Sequence, residues 1–229
     1  MLVDNSIIWN NYIIMLTDER QVAALVNLFH QGNKLIYQKG EYIIRPGGSP
    51  QGVFYILEGL VKAFDITKYG EENLQIIRKS GEILGLTWAI TGQDRHIIYA
   101  TMAPTTLLQI SREQFTDYLH SNPTAALPVL DMVVDMYRLH SERILNLEYR
   151  SVRERLVSFL ITTAKRFGSK TPLGMSLGVS LRHIDIASSI SATRESVGRE
   201  LSSLERARLI TTDQSIIILK DMEGLQKIL

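Results

Sequence analysis

SLRHIDIASSISATRESVGRELSSLERARLI (180–210) carries the strongest organising pattern in the chain. Its apolar positions, Ile186, Ala187, Ile190, Val197, Leu201 and Leu204, keep helical spacing except across Ser191-Ala192-Thr193. A three-residue break between two short amphipathic runs predicts helix, tight turn, helix. Thr193 is a suitable N-cap for the second helix, whose outward face then carries Arg194, Glu195, Ser196 and Arg199. Side chains at such positions near the start of a helix reach neighbouring base pairs in a major groove. Arginine bridges guanine O6 and N7, and glutamate accepts from cytosine N4. Arg182, Ser191, Thr193 and Ser196 are of the types that hold phosphates. A two-helix piece of an ordinary bundle is the alternative this pattern leaves open.

The rest of the composition frames that segment. The 229 residues are enough for two small domains, and 45% hydrophobic with 21% charged residues is close to the globular average. The absence of cysteine excludes disulfides, thiolate metal sites, Cys-ligated clusters and a Cys nucleophile. The five histidines are scattered without metal-ligand spacing, so no metal site is expected. The net charge of +1 conceals an asymmetry: residues 149–210 hold 11 Lys and Arg against 5 Asp and Glu. That bias fits an anionic partner or a solvated basic face. No apolar run approaches the roughly 18–20 residues of a membrane span. MLVDNSIIWNNYIIML (1–16) has an acidic Asp4 and no basic n-region, so it does not read as a signal peptide. A soluble, intracellular protein is the expectation, with no membrane partner.

Working toward the N-terminus, SVRERLVSFLITTAKRFG (151–168) predicts a helix closed by Gly168, followed by a loop over 168–178. A hairpin of Leu209–Thr211 and Ile216–Leu219 closes the C-terminal third. Upstream, Leu130, Val133, Tyr137, His140, Ile144 and Leu147 recur at alternating intervals of three and four. That is an a/d seam, which predicts a long helix pairing with a copy of itself; a monomeric core helix is the alternative. Residues 34–111 differ in kind: short β-branched and aromatic runs broken by Gly40, Gly47, Gly48, Gly59, Gly70 and Gly81 predict an antiparallel sandwich or barrel. TMAPTTLLQIS (101–111) reads as a closing strand pair interrupted at Pro104, and TDERQVAALVNLFH (17–30) as an amphipathic helix capped by Thr17.

Taken together, GEILGL (81–86), the long helix, RLVSFLITTAKRFG (155–168) and ATRESVGREL (192–201) resemble the Crp/Fnr superfamily of bacterial transcription regulators over almost the whole chain. The resemblance implies an α+β fold: a cyclic-nucleotide-binding-like antiparallel β-roll over 1–121, a dimerisation helix over 122–150, and a winged helix-turn-helix over 151–229. The Arg194-Glu195-Ser196-Val197-Gly198-Arg199 run is similar to the reader of the catabolite-activator branch. That similarity implies base contacts by Arg194, Glu195 and Arg199 to a near-palindromic site of TGTGA type. It also implies a homodimer, RNA polymerase as a further partner, and a bacterial cytoplasm or a plastid stroma as the location. Ser191 departs from the family, which often places glycine there.

The sensor end is similar to a different branch. Cyclic-AMP-binding members have a glutamate where this chain has Leu86, and a serine where it has His96. LGLTWAITGQDR (84–95) is similar to the cyanobacterial nitrogen-regulating branch, whose effector is 2-oxoglutarate. This implies an effector pocket around Gly85, Leu86, Arg95, His96 and Arg138, with Arg95 holding a carboxylate and Arg138 a second. Cyclic AMP is the poorer fit. The remaining alternative is that Arg95 pairs with Asp94 or Glu82 and no ligand of these classes binds. The competing function is a ligand-sensing protein whose C-terminal domain docks a protein, which would need exposed aromatics on the reader face. No G-x-S-x-G, Walker loop, H-E-x-x-H or supported carboxylate pair argues for an enzyme, and no catalytic residue is assigned.

Overall fold

A capping box starts the first helix, α1 (Glu19–His30): the Asp18 side chain accepts from Gln21 N at 2.9 Å, and Gln21 Oε1 accepts from Asp18 N. Asp18, not Thr17, is therefore the cap. The Thr17 hydroxyl instead donates to Asp131 at 2.6 Å, an early carboxylate of the long helix. The computed structural model describes residues 16–94 and 96–229, so Arg95 and the leader reading of residues 1–15 lie outside it.

After α1 come β1 (Asn33–Tyr37), β2 (Tyr42–Ile44), β3 (Val53–Glu58), β4 (Leu60–Ile66), β5 (Glu72–Lys79) and β6 (Ile83–Leu84). A short helix α2 (Leu86–Thr91), β7 (Ile98–Thr101), β8 (Thr105–Ile110), α3 (Arg112–Ser121), a 3-10 turn (Pro123–Ala125) and α4 (Ala126–Tyr149) follow. The C-terminal part comprises α5 (Val152–Phe167), β9 (Lys170–Thr171), β10 (Gly174–Ser176), α6 (His183–Ser189), α7 (Arg194–Arg206), β11 (Ile210–Asp213), β12 (Ile216–Leu219) and α8 (Met222–Gln226). The architecture is the expected one: an N-terminal antiparallel β-roll, a long helix and a C-terminal winged helix-turn-helix.

The chain divides into two units that cut across its linear order. One holds the described residues up to Val61, with Lys79–His96 and Thr101–Tyr137; the other holds Lys62–Arg78, Ile97–Ala100 and Arg138–Leu229. In the first, one sheet has the order β1-β8-β3-β6, all antiparallel, with Tyr37 opposite Thr105 and Phe54 opposite both Gln109 and Leu84. Gly59 joins β3 to β4 at φ +108, and a Cβ there would strike the Thr105 hydroxyl and the Pro104 carbonyl, so glycine is required. The core of this unit is built around Phe29, whose ring lies 5.5 Å from Tyr55 and 6.1 Å from Phe115, with Leu25, Ile83, Leu86 and Val129 in the same cluster.

The second unit is organised by α5, whose buried Leu156, Val157, Leu160 and Ile161 form one apolar stripe. That helix contacts α7, β12 and α8. Its sheet has the order β11-β12-β10-β9, so the stretch 168–178, read from the sequence as a loop, contributes two short strands. They were hidden because two- and three-residue strands carry no measurable alternation. The first hairpin strand begins one residue later than expected and runs two residues beyond its expected end, through Asp213, and the hairpin turns on Gln214 and Ser215, both at positive φ, which is the backbone a two-residue turn of this hand demands.

Between α6 and α7, Ser191 sits at φ +51, and Ala192 N donates to the Ala187 carbonyl at 3.0 Å. This is the six-to-one closure that ends a helix with a left-handed residue, a position that favours glycine. A left-handed non-glycine residue costs about 1–2 kcal/mol, and glycine's greater unfolded-state entropy offsets about half of that. Ser191→Gly should therefore stabilise the protein by about 0.5–1 kcal/mol in denaturant titrations; a destabilised variant would show that the serine side chain holds the turn.

Candidate nucleic-acid interface

The face of α7 is set by what it buries. Val197, Leu201 and Leu204 are buried, while Arg194, Glu195 and Arg199 are exposed, Glu195 and Arg199 on the side opposite the buried stripe and Arg194 beside it in the first turn. Thr193 caps the helix, its Oγ1 accepting from Ser196 N at 3.1 Å, and Arg199 donates to Ser196 Oγ at 3.2 Å. The predicted base-contact set and the hydroxyls of Thr193 and Ser196 are thus brought together at one helix end. Gly198 lies near α6, where an added Cβ would make only ordinary contact with the His183 ring. None of the exposed large hydrophobics among the described residues lies on α7, so the reader face lacks the aromatics that a protein-docking surface needs.

Two arginines of α5 that the sequence reading passed over hold this reader in place. Arg153 donates to Glu200 at 2.9 Å and to Ser203 at 3.1 Å, on α7. Arg155 donates to the carbonyl of Ser191, the strained turn residue, at 3.3 Å. Both precede the apolar stripe of α5, and only that flanking position hinted at a structural role.

Arg182, read as a phosphate contact, caps α6 and is engaged: its Nε and Nη2 reach the Asp185 carboxylate at 2.9 and 2.7 Å, and Glu72 lies at 3.4 Å. The hydrogen bonds to Asp185 raise the Arg182 guanidinium further above its ordinary range. Asp185 is buried, which opposes its charge, but the Arg182 side chain and N–H outweigh burial and hold it below the usual carboxylate range. Arg182 is therefore available to a phosphate only through the part of its guanidinium that Asp185 leaves exposed.

Strand β5 adheres to the same group of elements. Leu74 N donates to Ser188 Oγ at 3.2 Å, and Arg143 of α4 reaches the carbonyls of Leu74, Gln75 and Ser188 at 3.3–3.4 Å. Burial lowers the Arg143 guanidinium, against the attraction of Asp65.

The predicted effector residues do not assemble in the same way. Gly85 is at φ +78, at the start of α2. The Leu86 side chain is buried in the core of the first unit, which leaves its backbone, not its side chain, for ligand contact. His96 is exposed at φ +54, and its N–H donates to Asp94 at 2.7 Å, the main reason that carboxylate lies below its usual range. Arg138 belongs to the other unit and donates to Glu142 at 2.8 Å. Among the described residues, no group of three His, Asp or Glu is placed to hold a metal, and no helix is long and apolar enough to cross a membrane.

Comparison with known proteins places this geometry. Residues 154–228 match the Crp-like helix-turn-helix domain, and residues 34–122 match the cyclic nucleotide-binding domain. The chain is 28% identical over 204 residues to a global nitrogen regulator of Synechocystis, covering 86% of this chain and 90% of that protein. It is 23% identical to an anaerobic regulatory protein of Haemophilus influenzae, covering 91% and 80%. Among solved structures, a CooA mutant from Carboxydothermus hydrogenoformans shares the fold with a TM-score of 0.72 at 24% identity, covering 88% of this chain and 89% of that one. FixK2 from Bradyrhizobium japonicum does so with a TM-score of 0.73 at 20% identity, covering 86% and 96%. With a nucleotide-binding-type sensor fold, a Crp-like reader and relatives that are regulators and not enzymes, the chain belongs to the Crp/Fnr family of DNA-binding transcription regulators.

Proposed function

We propose that the protein is a cytoplasmic homodimer, organised as a sensor over 1–121, a dimerisation helix over 122–150 and a reader over 151–229, that binds a near-palindromic DNA site of TGTGA type. The observation that carries this reading is the outward set of Arg194, Glu195 and Arg199 on a helix whose other face is buried. Two such helices related by a two-fold axis enter successive major grooves, which sets half-sites about one helical turn apart. Arg194 and Arg199 supply the bidentate fork for guanine, and Glu195 accepts from cytosine. Thr193, Ser196, Ser191 and the exposed edge of Arg182 fix register on the phosphates. RNA polymerase is the partner through which such binding acts on transcription.

Dimerisation is supported by α4. Leu130 is 45% exposed, Tyr137 72% and Ile144 57%, with Val133, Val134 and Leu145 beside them. An apolar stripe of this length at heptad spacing is costly in water and is covered when two copies pair. His140 and Leu147, the remaining seam positions, are half-buried.

The effector we propose is a small dicarboxylate, 2-oxoglutarate first, held through Arg95 and the Gly85–Leu86 backbone, with His96 at the rim and Arg138 as the second cation. Support comes from the apolar residue at 86, which removes the carboxylate a ribose would need, and from the similarity to global nitrogen regulators.

Four measurements test these readings. Glu195→Ala should leave non-specific DNA affinity unchanged or raised while relaxing one base pair of the consensus, because a carboxylate facing phosphates is favourable only where it accepts from a base. Recovery of the same consensus by wild type and variant in a binding-site selection would overturn the reader assignment. Arg194→Ala should cost about 1–3 kcal/mol per half-site at one guanine. Ile144→Lys places like charges in the seam and should give monomers in sedimentation equilibrium, where the wild type is dimeric. Calorimetry should show 2-oxoglutarate binding that Arg95→Ala abolishes; cyclic AMP binding that survives that substitution would refute the effector reading.

A further inference from the structure

The buried row of α7, Val197, Leu201 and Leu204, is accompanied one residue earlier by a polar row, Ser196, Glu200 and Ser203, at the same helical spacing. Two arginines bind that polar row. Arg199 of α7 itself donates to Ser196 Oγ at 3.2 Å, and Arg153 of α5 donates to Glu200 at 2.9 Å and to Ser203 Oγ at 3.1 Å. Arg153 lies three and four residues ahead of the buried Leu156 and Val157, so it shares their helix face and reaches α7 at the edge of the packed interface. The backbone that carries it is fixed by the capping box of α5, in which Ser151 Oγ accepts from Glu154 N at 3.3 Å and the Glu154 carboxylate accepts from Ser151 N at 2.8 Å.

Burial of an apolar row selects which side of a helix faces inward, but it is non-directional and resists a small roll about the helix axis only weakly. A charge-assisted hydrogen bond depends on angle as well as distance. Arg153 holds two residues of one row, a turn apart, from a helix that is itself anchored. It therefore opposes the roll that packing alone leaves soft. A roll displaces the ends of long side chains more than the backbone that carries them, and Glu195 and Arg199 are long side chains on the outward face. Such groups work only when held to within about 0.5 Å and 10–20° of the productive geometry.

We propose that Arg153 is a positioning residue for sequence recognition: without touching DNA, it fixes the roll of α7 and so determines how sharply Arg199 and Glu195 discriminate between bases. The inference rests on the reading of α7 as the base reader. Arg199 is the contact most sensitive to the loss of Arg153, because its partner Ser196 belongs to the row that Arg153 holds. Specificity then depends on a side chain outside the helix-turn-helix. The pair is partly exposed, at 35% for the Arg153 side chain and 30% for that of Glu200, so it adds little to overall stability while constraining geometry.

The test lets the full-length wild type and its variants select sites from a randomised DNA pool, then titrates the wild-type site and a scrambled duplex by fluorescence anisotropy over a range of salt. Arg153→Ala should lower the ratio of specific to non-specific affinity by at least about fivefold, the lower end of what one misplaced bidentate contact is worth. It should relax the consensus at the position that Arg199→Ala also relaxes. Its melting temperature and its salt slope on scrambled DNA should match wild type, whereas loss of a phosphate contact reduces that slope by about one. Glu200→Gln keeps the shape of the partner without its charge; it should relax the same position to a smaller extent and add nothing to Arg153→Ala in the double variant. An unchanged ratio in folded Arg153→Ala, or in Glu200→Gln where Arg153→Ala fails to fold, overturns the proposal. So does a uniform loss of affinity with a reduced salt slope, or additive losses in the double variant. Arg194→Ala separates this from the reader reading: if it relaxes the consensus and Arg153→Ala does not, the positioning role alone falls, and if neither does, both fall.

Discussion

The burial of Val197, Leu201 and Leu204 is the constraint from which the working end of this protein follows. Three apolar residues on one side of a thirteen-residue helix leave a single rotational setting in which the stripe is covered. In that setting Arg194, Glu195 and Arg199 have no direction but outward. The proposed recognition chemistry is therefore positioned by packing, and the polar residues need only be of the right type. The anchoring arginines refine the setting: Arg153 grips α7 at Glu200 and Ser203, and Arg155 grips the turn. A rigid placement matters because base readout by bidentate pairs tolerates little displacement.

The connection of β5 to the reader is of a different kind. Of the two ion pairs of Glu72, that with Arg182 lies near the surface, where such pairs contribute at most about 1 kcal/mol, and that with Lys62 stays between β4 and β5. The more directional part is made of backbone groups: Leu74 N to Ser188 Oγ, and the Arg143 guanidinium spread over three carbonyls. Those bonds are long, and the attraction of Asp65 for the half-buried Arg143 is set against burial, so this junction is a weak one held by many groups. Weak, distributed junctions are where a ligand with modest differential affinity can shift a population.

What could be read from the chain tracks how local each signal is. The turn at Ser191–Thr193, the wing and the long helix α4 were legible because each rests on spacing within about one or two helical turns. Gly59 marked a strand end because no other residue fits its φ and its neighbours. The cap of α1 was misplaced by one residue because Thr17 and Asp18 are both good caps, and the choice turns on Asp131, more than a hundred positions away. The roles of Arg153, Arg155 and Arg143 were illegible for the same reason: their partners come from other elements. The division into units was hidden too, since Lys62–Arg78 groups with Arg138–Leu229, far away in sequence.

Leu86 shows how packing constrains a position proposed for the effector pocket. It begins α2 and is only 6% exposed, in a cluster with Leu25, Phe29, Phe115 and Val129. A carboxylate placed there in this packing would leave water for an apolar surround with no cation of that cluster to meet it, a cost of several kcal/mol. The core of this unit therefore disfavours a glutamate at 86 independently of any ligand. Packing of α2 against the cluster around Phe29 therefore fixes the residue type at 86, whatever binds at this end of the protein.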